Sequence, residues 1–124
     1  MRKEMRFGSN ALVYLVDSSK KETKAHLKEL GLNGLSIRSD DYIDIEPKNN
    51  YTITIVPEKE SKIKQFQLDI RSRWVKLNKS KMEAGFSVKG PLSNSEFQDY
   101  LEYIAMRGKI KTFPDEEETS KASD

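Results

Sequence analysis

Short stretches in which apolar and polar side chains alternate are the feature that most constrains how this chain can fold. One such stretch covers residues 66–77, another is Tyr51–Val56, and Asn10–Val16 is rich in residues that favour strands. Because successive side chains of a β-strand point to opposite faces, this alternation predicts strands with one face in a core. The side chains of residues 66–77 that we expect in the core are Phe66, Leu68, Ile70 and Trp74.

Turn residues between the apolar stretches predict two hairpins. Lys24–Leu30 and Gly34–Ser39 are joined by the segment 31–34, Gly-Leu-Asn-Gly, a turn whose glycines permit positive φ. Met82–Val88 follows the polar turn Asn78–Lys81, which predicts a hairpin with the strand before it. Together these segments give five or six short strands.

The hydrophobic period changes near the C-terminus. Ser93–Glu96 has the pattern of a capping box, with Glu96 placed to reach back to the N-cap backbone. Apolar residues then follow at helical spacing, namely Phe97, Leu101, Ile104 and Ala105. We expect a helix over about residues 93–107 that ends near Arg107–Gly108, with its apolar stripe on an open barrel end or on a partner helix. The predicted fold class is therefore all-β with one C-terminal helix, a small barrel that the helix closes or caps.

A length of 124 residues fits one domain with one core. We expect a flexible basic arm over residues 1–9, a barrel domain with its helix over residues 10–108, and an acidic disordered tail over residues 109–124. Pro114–Asp124 carries five carboxylates and one lysine, so the formal net charge of +2 for the whole chain leaves +6 on the rest. A body of that sign favours anionic partners such as phosphates, although a solvated, lysine-rich surface explains the charge as well.

Few residues suit catalysis or metal binding. The chain has no cysteine, which excludes disulfides, thiolate zinc sites and cysteine nucleophiles. His26, the single histidine, is expected to be a partly exposed strand residue. Asp40, Asp41 and Asp44 lie in a loop-rich stretch and are expected to form turns rather than a metal site. We therefore predict no enzymatic activity, no metal and no cofactor.

The apolar stretches are also too short to cross a membrane. None approaches the roughly 20 apolar residues of a transmembrane helix. Residues 1–16 are first charged and then apolar, as in a secretion signal, but the apolar run ends at Asp17 without a small-residue cleavage pattern. We interpret this run as a strand and expect a cytoplasmic protein without membrane insertion.

Two features of the chain can hold an anion. Arg2 and Arg6 stand four residues apart just before the first predicted strand, and two guanidinium groups can donate paired hydrogen bonds to a phosphate or a guanine edge. The second feature is the strand end and turn from Glu29 to Gly34, which combines a side-chain acceptor with close backbone approach. Taken alone, neither feature indicates a binding site. The first is equally typical of a solvated arm, and the second is equally typical of an ordinary tight hairpin.

In this order the two features resemble the PilZ family, whose members carry an RxxxR arm before the first strand and a [D/N]xSxxG turn between the second and third strands. Arg2 and Arg6 match the arm. Glu29 falls at the Asp or Asn position of the turn, Gly31 at the Ser position and Gly34 at the final Gly position. The second motif is therefore degenerate at two positions.

The resemblance covers about residues 2–106. It implies a six-stranded antiparallel barrel with a C-terminal helix, acting as a non-enzymatic receptor for cyclic di-GMP. Nucleotide binding would then regulate an unidentified protein partner in motility, pili, exopolysaccharide production or virulence. The ligand-binding residues expected on this basis are Arg2, Arg6, Glu29, Gly31, Asn33 and Gly34.

The departures from the family pattern leave an alternative open. Gly31 lacks the serine hydroxyl and Glu29 is longer than aspartate, as in a PilZ-like protein-interaction module that does not bind the nucleotide. A third class, a nucleic-acid-binding barrel, needs aromatic side chains on a basic face. Tyr14, Tyr42 and Tyr51 are too scattered for such a face, so we expect no nucleic-acid partner.

Overall fold

A computed structural model describes residues 5–112 of the chain, and the side chains of residues 5–107. Within this range the chain forms a series of strands followed by one α-helix. The strands are β1 (Arg6–Gly8), β2 (Leu12–Val16), β3 (Glu22–Gly31), β4 (Gly34–Ser39), β5 (Asn50–Val56), β6 (Phe66–Asn78) and β7 (Lys81–Gly90). The helix is α1 (Ser95–Thr112), and a short 3₁₀ turn, Lys59–Ser61, lies between β5 and β6.

The strands form one antiparallel sheet that closes on itself. Their order is β1-β3-β2-β5-β6-β7-β4, and β4 pairs back onto β3, so β2 to β7 make a closed six-stranded barrel. β1 and β2 both lie along the same edge of β3, with Gly8 opposite Glu29 and Leu12 opposite His26. The predicted six-stranded barrel with a C-terminal helix is confirmed.

The predicted flexible arm over residues 1–9 is wrong for Arg6–Gly8, because these residues form β1. Arg6 pairs with Gly31 at the end of β3, and the partly buried Phe7 packs against the core. A single apolar residue between polar neighbours is too short a pattern to predict a strand, and it is the pairing with β3 that orders it. Residues 1–4, which include Arg2, lie outside the described residues.

The barrel interior is filled by the alternate apolar residues that the sequence pattern predicts. Phe66, Leu68 and Ile70 are all buried, but Trp74 is 42% exposed, so its predicted place in the core is wrong. A bulge between Ser72 and Trp74 shifts the register and turns the indole to the outer face. The largest fully buried side chains are Tyr100, Phe86, Phe97, Leu27, Leu30, Leu35, Ile37, Ile43, Ile53, Ile55, Leu68 and Ile70.

Both predicted hairpins are present, but the glycines of the first have a different role. Asn78 pairs with Lys81 across the second turn, where Lys79 has a φ of 60°. Among the described residues, Gly90 is the glycine with positive φ, and Gly31 and Gly34 do not adopt it. The first turn therefore does not use the positive φ that its glycines permit. These glycines are instead required by close contacts with β1, which form part of the site.

The carboxylate of Asp17 stabilises the turn between β2 and β3. It accepts hydrogen bonds from the Ser19 hydroxyl at 2.7 Å and from the backbone N–H groups of Ser19, Lys21 and Asp44. Burial acts to raise the pKa of Asp17, but these hydrogen bonds outweigh it and hold the pKa below its ordinary value. The acidic loop that contains Asp44 is therefore tied to the barrel through its backbone.

Helix α1 begins two residues later and ends five residues later than predicted. Its N-cap is Asn94, whose Oδ1 accepts the N–H of Phe97 at 3.1 Å, rather than Ser93. The helix continues through Gly108 to Thr112, so the disordered tail predicted from residue 109 is wrong for its first four residues. Glycine inside a helix costs only about 1 kcal/mol, which is too little to end the helix by itself. Residues 113–124 lie outside the described residues.

The apolar stripe of α1 packs on the barrel rather than on a partner helix, the other position that the sequence left open. Phe97, Tyr100 and Ile104 are buried, and both aromatic rings lie about 6 Å from the ring of Phe66. Leu101 of the predicted stripe is only partly buried. Tyr100, which the stripe omitted, is thus a central residue of the contact between helix and barrel.

A polar cluster ties the same helix to the segment after β1. The hydroxyl of Tyr100 donates to Glu58 Oε1 and accepts from Ser9 Oγ, both at 2.7 Å, and Arg107 Nη1 lies 3.3 Å from Glu58 Oε2. Burial, together with the hydrogen bond and the charge of Glu58, raises the pKa of Tyr100 above its ordinary value. Among residues 5–112, no helix is both long and apolar enough to span a membrane.

Candidate functional site

The predicted site residues meet on the outer face of the barrel, where β1, β3, β4 and β7 lie side by side. Arg6 is opposite Gly31, and Gly34 is opposite Ser87 of β7. Glu29 is opposite Ser36 of β4. Strand pairing thus brings the arm and the turn of the sequence motif into one surface.

The side chain of Arg6 lies directly against the backbone of Gly34. A Cβ built on Gly34 would overlap Arg6 Nη2 and would stand 3.1 Å from Arg6 Cζ and 3.2 Å from the carbonyl oxygen of Phe86. Any side chain at this position would therefore displace the guanidinium group. The final glycine of the turn is what allows the arginine to reach this face.

Glu29 orients the same arginine. Its Oε2 lies 4.0 Å from Arg6 Nη1 and accepts a hydrogen bond from the Ser36 hydroxyl at 3.3 Å. The side chains of Arg6 and Glu29 are 27% and 39% exposed, so the pair is accessible from solvent. At this exposure the ion pair adds little stability. It does place a guanidinium and a carboxylate side by side. The guanidinium can donate hydrogen bonds to a phosphate, and the carboxylate can accept them from the donor edge of a guanine.

Gly31 is covered by Met5, the residue just before β1, and by the side chain of Arg6. A Cβ at this position would stand 2.5 Å from the carbonyl oxygen of Met5 and 3.1 Å from Arg6 Cγ. The residue at the family's serine position is therefore a glycine because β1 leaves no room for a side chain.

Asn33 lies at the exposed tip of the turn, and its backbone carbonyl accepts the N–H of Val88 at 3.0 Å. Its role in ligand binding remains a prediction, as does that of Arg2, which lies outside the described residues.

Trp74 extends the site in a way that sequence reasoning missed. Its indole covers Gly85, where a Cβ would overlap the ring, and Gly85 in turn is opposite Ser36. Glu29, Ser36, Gly85 and Trp74 thus form one row across four adjacent strands. With strands about 4.8 Å apart, the row is about 14 Å long. The signal in the sequence was limited to a tryptophan on one predicted strand and a glycine on the next, and only the structure shows that the two lie opposite each other.

Between Arg6 and Trp74 the outer face carries only small residues. They are Gly34, Ser36, Gly85 and Ser87. Arg71 lies opposite Ser87 on the next strand and donates to Asn50 Oδ1 at 3.2 Å. Gly34 and Gly85 are buried beneath Arg6 and Trp74, and Ser36 is 1% exposed, so the guanidinium and the indole themselves form the surface that can meet a planar, negatively charged ring system.

The remaining described residues offer no stronger site. An open groove near the β2–β3 turn is lined by Asp17, Lys20, Tyr51, Asp69 and others, but by none of the predicted site residues. No group of three or more potential metal-ligating side chains occurs in the described part of the chain. His26 is an exposed residue on β3, as expected.

Comparisons with known proteins identify the fold. No family model matches the sequence, and no curated protein matches it. Among solved structures, MotI (DgrA), the inhibitor of motility from Bacillus subtilis, is similar with a TM-score of 0.74 at 13% identity over 91% of this chain. The PilZ domain of YcgR from Escherichia coli with c-di-GMP has a TM-score of 0.69 at 11% identity over 89% of this chain. The MrkH–c-di-GMP complex from K. pneumonia has a TM-score of 0.71 at 10% identity over 90% of this chain.

The chain therefore has the fold of the PilZ domain, and the resemblance seen in the sequence is confirmed at the level of the fold. It covers 95% of the isolated YcgR domain. It spans only 53% of the length of MotI and 56% of that of MrkH. The activities of those longer proteins are thus not carried over with the fold.

Proposed function

We propose that this chain is a non-enzymatic receptor of the PilZ type that binds cyclic di-GMP on the outer face of the barrel. The observation that carries the proposal is the contact of Arg6 with Gly34 beside Glu29, on a fold shared with domains solved in complex with c-di-GMP. Arg2, Gly31 and Asn33 complete the predicted ligand-binding set.

The chemistry of the face matches that of the nucleotide. Cyclic di-GMP has two guanines, which are planar and carry donor edges, and two phosphodiesters, which are anionic. The guanidinium of Arg6 can donate to a phosphate or to guanine acceptors and can stack on a base. Glu29 can accept from a guanine donor edge, and the indole of Trp74, which lies flat over Gly85, offers a surface on which a base can stack.

Contacts between β1 and α1 can transmit ligand binding from the proposed site to the helix. Arg6 is in β1, and Ser9, just beyond β1, donates to Tyr100 of α1 at 2.7 Å. Tyr100 and Arg107 both contact Glu58, so a shift of β1 changes a cluster that holds the helix. An adaptor that regulates a protein partner through this helix is the expected output. The cytoplasmic location stays a prediction.

A specific observation favours a second candidate, an interaction module that does not bind the nucleotide. The carbonyl of Met5 occupies the space above Gly31, where the family pattern places a serine. Glu29 also already engages Arg6 and Ser36. A ligand would have to compete with these contacts.

Calorimetric titration of the full chain distinguishes the two candidates. Cyclic di-GMP is the ligand, and cyclic di-AMP, which has the same phosphates but different bases, is the control. Arg6→Ala should weaken binding by about ten- to a hundredfold, because it removes charge-assisted hydrogen bonds worth roughly 1.5–3 kcal/mol. Lys64→Ala, which removes the same charge from an exposed residue before β6, should bind as the wild type does. Absence of wild-type binding would refute the receptor proposal, and equal affinity of the two variants would refute the site.

A further inference from the structure

Strand β6 is longer than the strand beside it and leaves part of one edge uncovered. β5 pairs with β6 only from Phe66 to Arg71. At the next residue, Ser72, the backbone exchanges hydrogen bonds of 2.9 and 3.0 Å with Asn49 and Lys48 of the preceding loop. From residue 73 to residue 78, β6 pairs only with β7 within the described part of the chain.

The free edge at residues 73–78 exposes backbone hydrogen-bonding groups in strand conformation. Such an edge is a template for an additional strand, and proteins usually shorten it, cover it or bend it away. Here six residues of β6 remain on the surface with β7 on one side and no second strand, within residues 5–112, on the other. The edge is therefore able to accept an extended segment.

The side chains along this edge are cationic and apolar. Residues 73–81 contain Arg73, Lys76, Lys79 and Lys81 and no carboxylate. Lys81 lies 3.4 Å from Asp40, but among the described residues no ion pair is formed by Arg73, Lys76 or Lys79. Leu77 is 64% exposed, and Trp74 is 42% exposed. A strand that pairs here would meet positive charges and two large apolar side chains.

We infer that the edge of β6 at residues 73–78 binds an extended acidic segment of a partner protein, which adds a strand to the barrel. Main-chain hydrogen bonds to the edge supply affinity, as in other domains that bind peptides by strand addition. On the face that carries Trp74 and Lys76, carboxylates of the segment pair with Lys76, and on the opposite face its apolar residues contact Leu77. This interaction does not require nucleotide binding and goes beyond the receptor function proposed above.

Other occupants fit the edge less well. A second copy of the chain would place the same cations opposite each other, and like charges across a strand pair are destabilising. An anionic lipid surface or a nucleic acid would satisfy the charges but would leave the backbone groups of β6 without partners. An acidic peptide in extended conformation can both pair with the positive charges and form hydrogen bonds with the open backbone edge.

The test uses the full chain and a synthetic eight-residue peptide that alternates glutamate with valine and threonine. One control peptide replaces glutamate with lysine. A second keeps the glutamates but has every other peptide nitrogen methylated, so that it has the same charge but cannot complete a β-ladder. Hydrogen exchange of the backbone amides is measured residue by residue by NMR, and the affinity is obtained from the same titration.

The acidic peptide should slow exchange at alternate amides of residues 73–78 by at least tenfold, and neither control peptide should do so. Lys76→Glu should weaken peptide binding at least tenfold, whereas Lys64→Glu, an equal change of charge at an exposed residue before β6, should not change it. Both positions are exposed, and because Lys76 is opposite Glu83, thermal unfolding of both variants is measured alongside binding to show that the fold is kept.

Four results would overturn the proposal. One is an unchanged exchange rate at residues 73–78 with the acidic peptide, and another is equal binding of the methylated peptide, which would reduce the interaction to charge. A third is protection of this edge in the free protein that disappears on dilution or on deletion of residues 113–124. Loss of this protection on dilution would assign the edge to a second copy of the chain. Loss on deletion would assign it to the chain's own acidic C-terminal segment. The fourth is protection by phosphatidylserine vesicles or duplex DNA in place of the peptide.

Discussion

The guanidinium of Arg6 lies against Gly34, at the point where any other residue would carry its Cβ. The two residues belong to β1 and β4, which do not pair with each other, and both adjoin the end of β3. The arginine motif and the glycine motif of the sequence are thus two halves of one contact. Glu29 lies 4.0 Å from the same guanidinium.

Gly34→Ala should therefore weaken cyclic di-GMP binding without removing any charged group. The added methyl overlaps the guanidinium and moves it off the face, so a loss of about tenfold or more is expected, close to that of removing the arginine hydrogen bonds. Because the displaced atoms are the end of a flexible side chain, the free energy of unfolding should change by less than about 1 kcal/mol.

Gly8→Ala is the matched control for this change. Gly8 lies in the same short strand as Arg6, and a Cβ at Gly8 has no heavy atom within 4 Å. Calorimetry and thermal unfolding of both variants check the prediction. If the two alanine variants bind equally well, the contact of Arg6 with Gly34 does not contribute to the binding site.

Gly85→Ala should expel the indole of Trp74 from the barrel surface. The added methyl would overlap the ring, so the side chain must move into water, and the emission maximum of the single tryptophan should shift to longer wavelength. The same emission reports ligand binding, since Trp74 borders the proposed site. An unshifted spectrum for Gly85→Ala would show that the indole does not rest on Gly85 in solution.

The sequence predicts most of the barrel because strand periodicity is a local property. Phe66, Leu68 and Ile70 point inward as their alternation indicates. Trp74 does not, because a bulge after Ser72 adds one residue to β6, and bulges depend on the partner strand rather than on the residues within the strand. β1 escaped prediction for a related reason, since three residues acquire strand structure only through pairing with β3.

The sequence predicts residue types for a candidate site but not their geometry. The spacing of Arg6, Glu29 and Gly34 resembles the family pattern, and the structure brings these three residues together. What the sequence does not contain is which atoms occupy the space above each glycine. Met5 over Gly31 and the indole over Gly85 are contacts between segments distant in the chain. They make Gly31, which the sequence places in a turn, and Gly85, which it places in a strand, into packing positions.

Tyr100→Phe should destabilise the protein and alter its response to alkali. The change removes hydrogen bonds to Glu58 and Ser9, with an expected cost of about 1–3 kcal/mol near neutral pH. Burial and Glu58 raise the folded-state pKa of Tyr100 above its ordinary value of 10.0. A raised pKa contributes stability that is fully present below the unfolded-state pKa and is lost as the pH rises above it.

Urea unfolding at intervals from pH 8 to pH 11 measures this effect. The wild type should lose stability above about pH 10 more steeply than Tyr100→Phe, so the difference between the two should shrink in that range. Tyr42→Phe, which changes an exposed tyrosine, should keep the wild-type slope. A constant difference between wild type and Tyr100→Phe over the whole range would contradict the raised pKa.

The last prediction concerns Gly31, where the family pattern has serine. From the sequence alone, Gly31→Ser together with Glu29→Asp should restore the motif and tighten nucleotide binding. The structure alters that expectation for Gly31, because a Cβ there would stand 2.5 Å from the backbone carbonyl oxygen of Met5. A backbone atom cannot move aside as a side chain can, so β1 itself would have to shift away from β3.

Gly31→Ser should therefore lower the free energy of unfolding by about 1–3 kcal/mol, as overpacking of a close contact does, and should speed hydrogen exchange in β1. Gly8→Ser, with open space around its Cβ, should do neither. Glu29→Asp alone keeps the carboxylate and leaves Met5 undisturbed, so it separates the effect of acceptor length from that of β1. Thermal unfolding, hydrogen exchange and titration with cyclic di-GMP on these three variants complete the comparison. If Gly31→Ser proves as stable as the wild type and binds the nucleotide more tightly, then β1 leaves the turn readily in solution, and the carbonyl of Met5 is no barrier to the ligand.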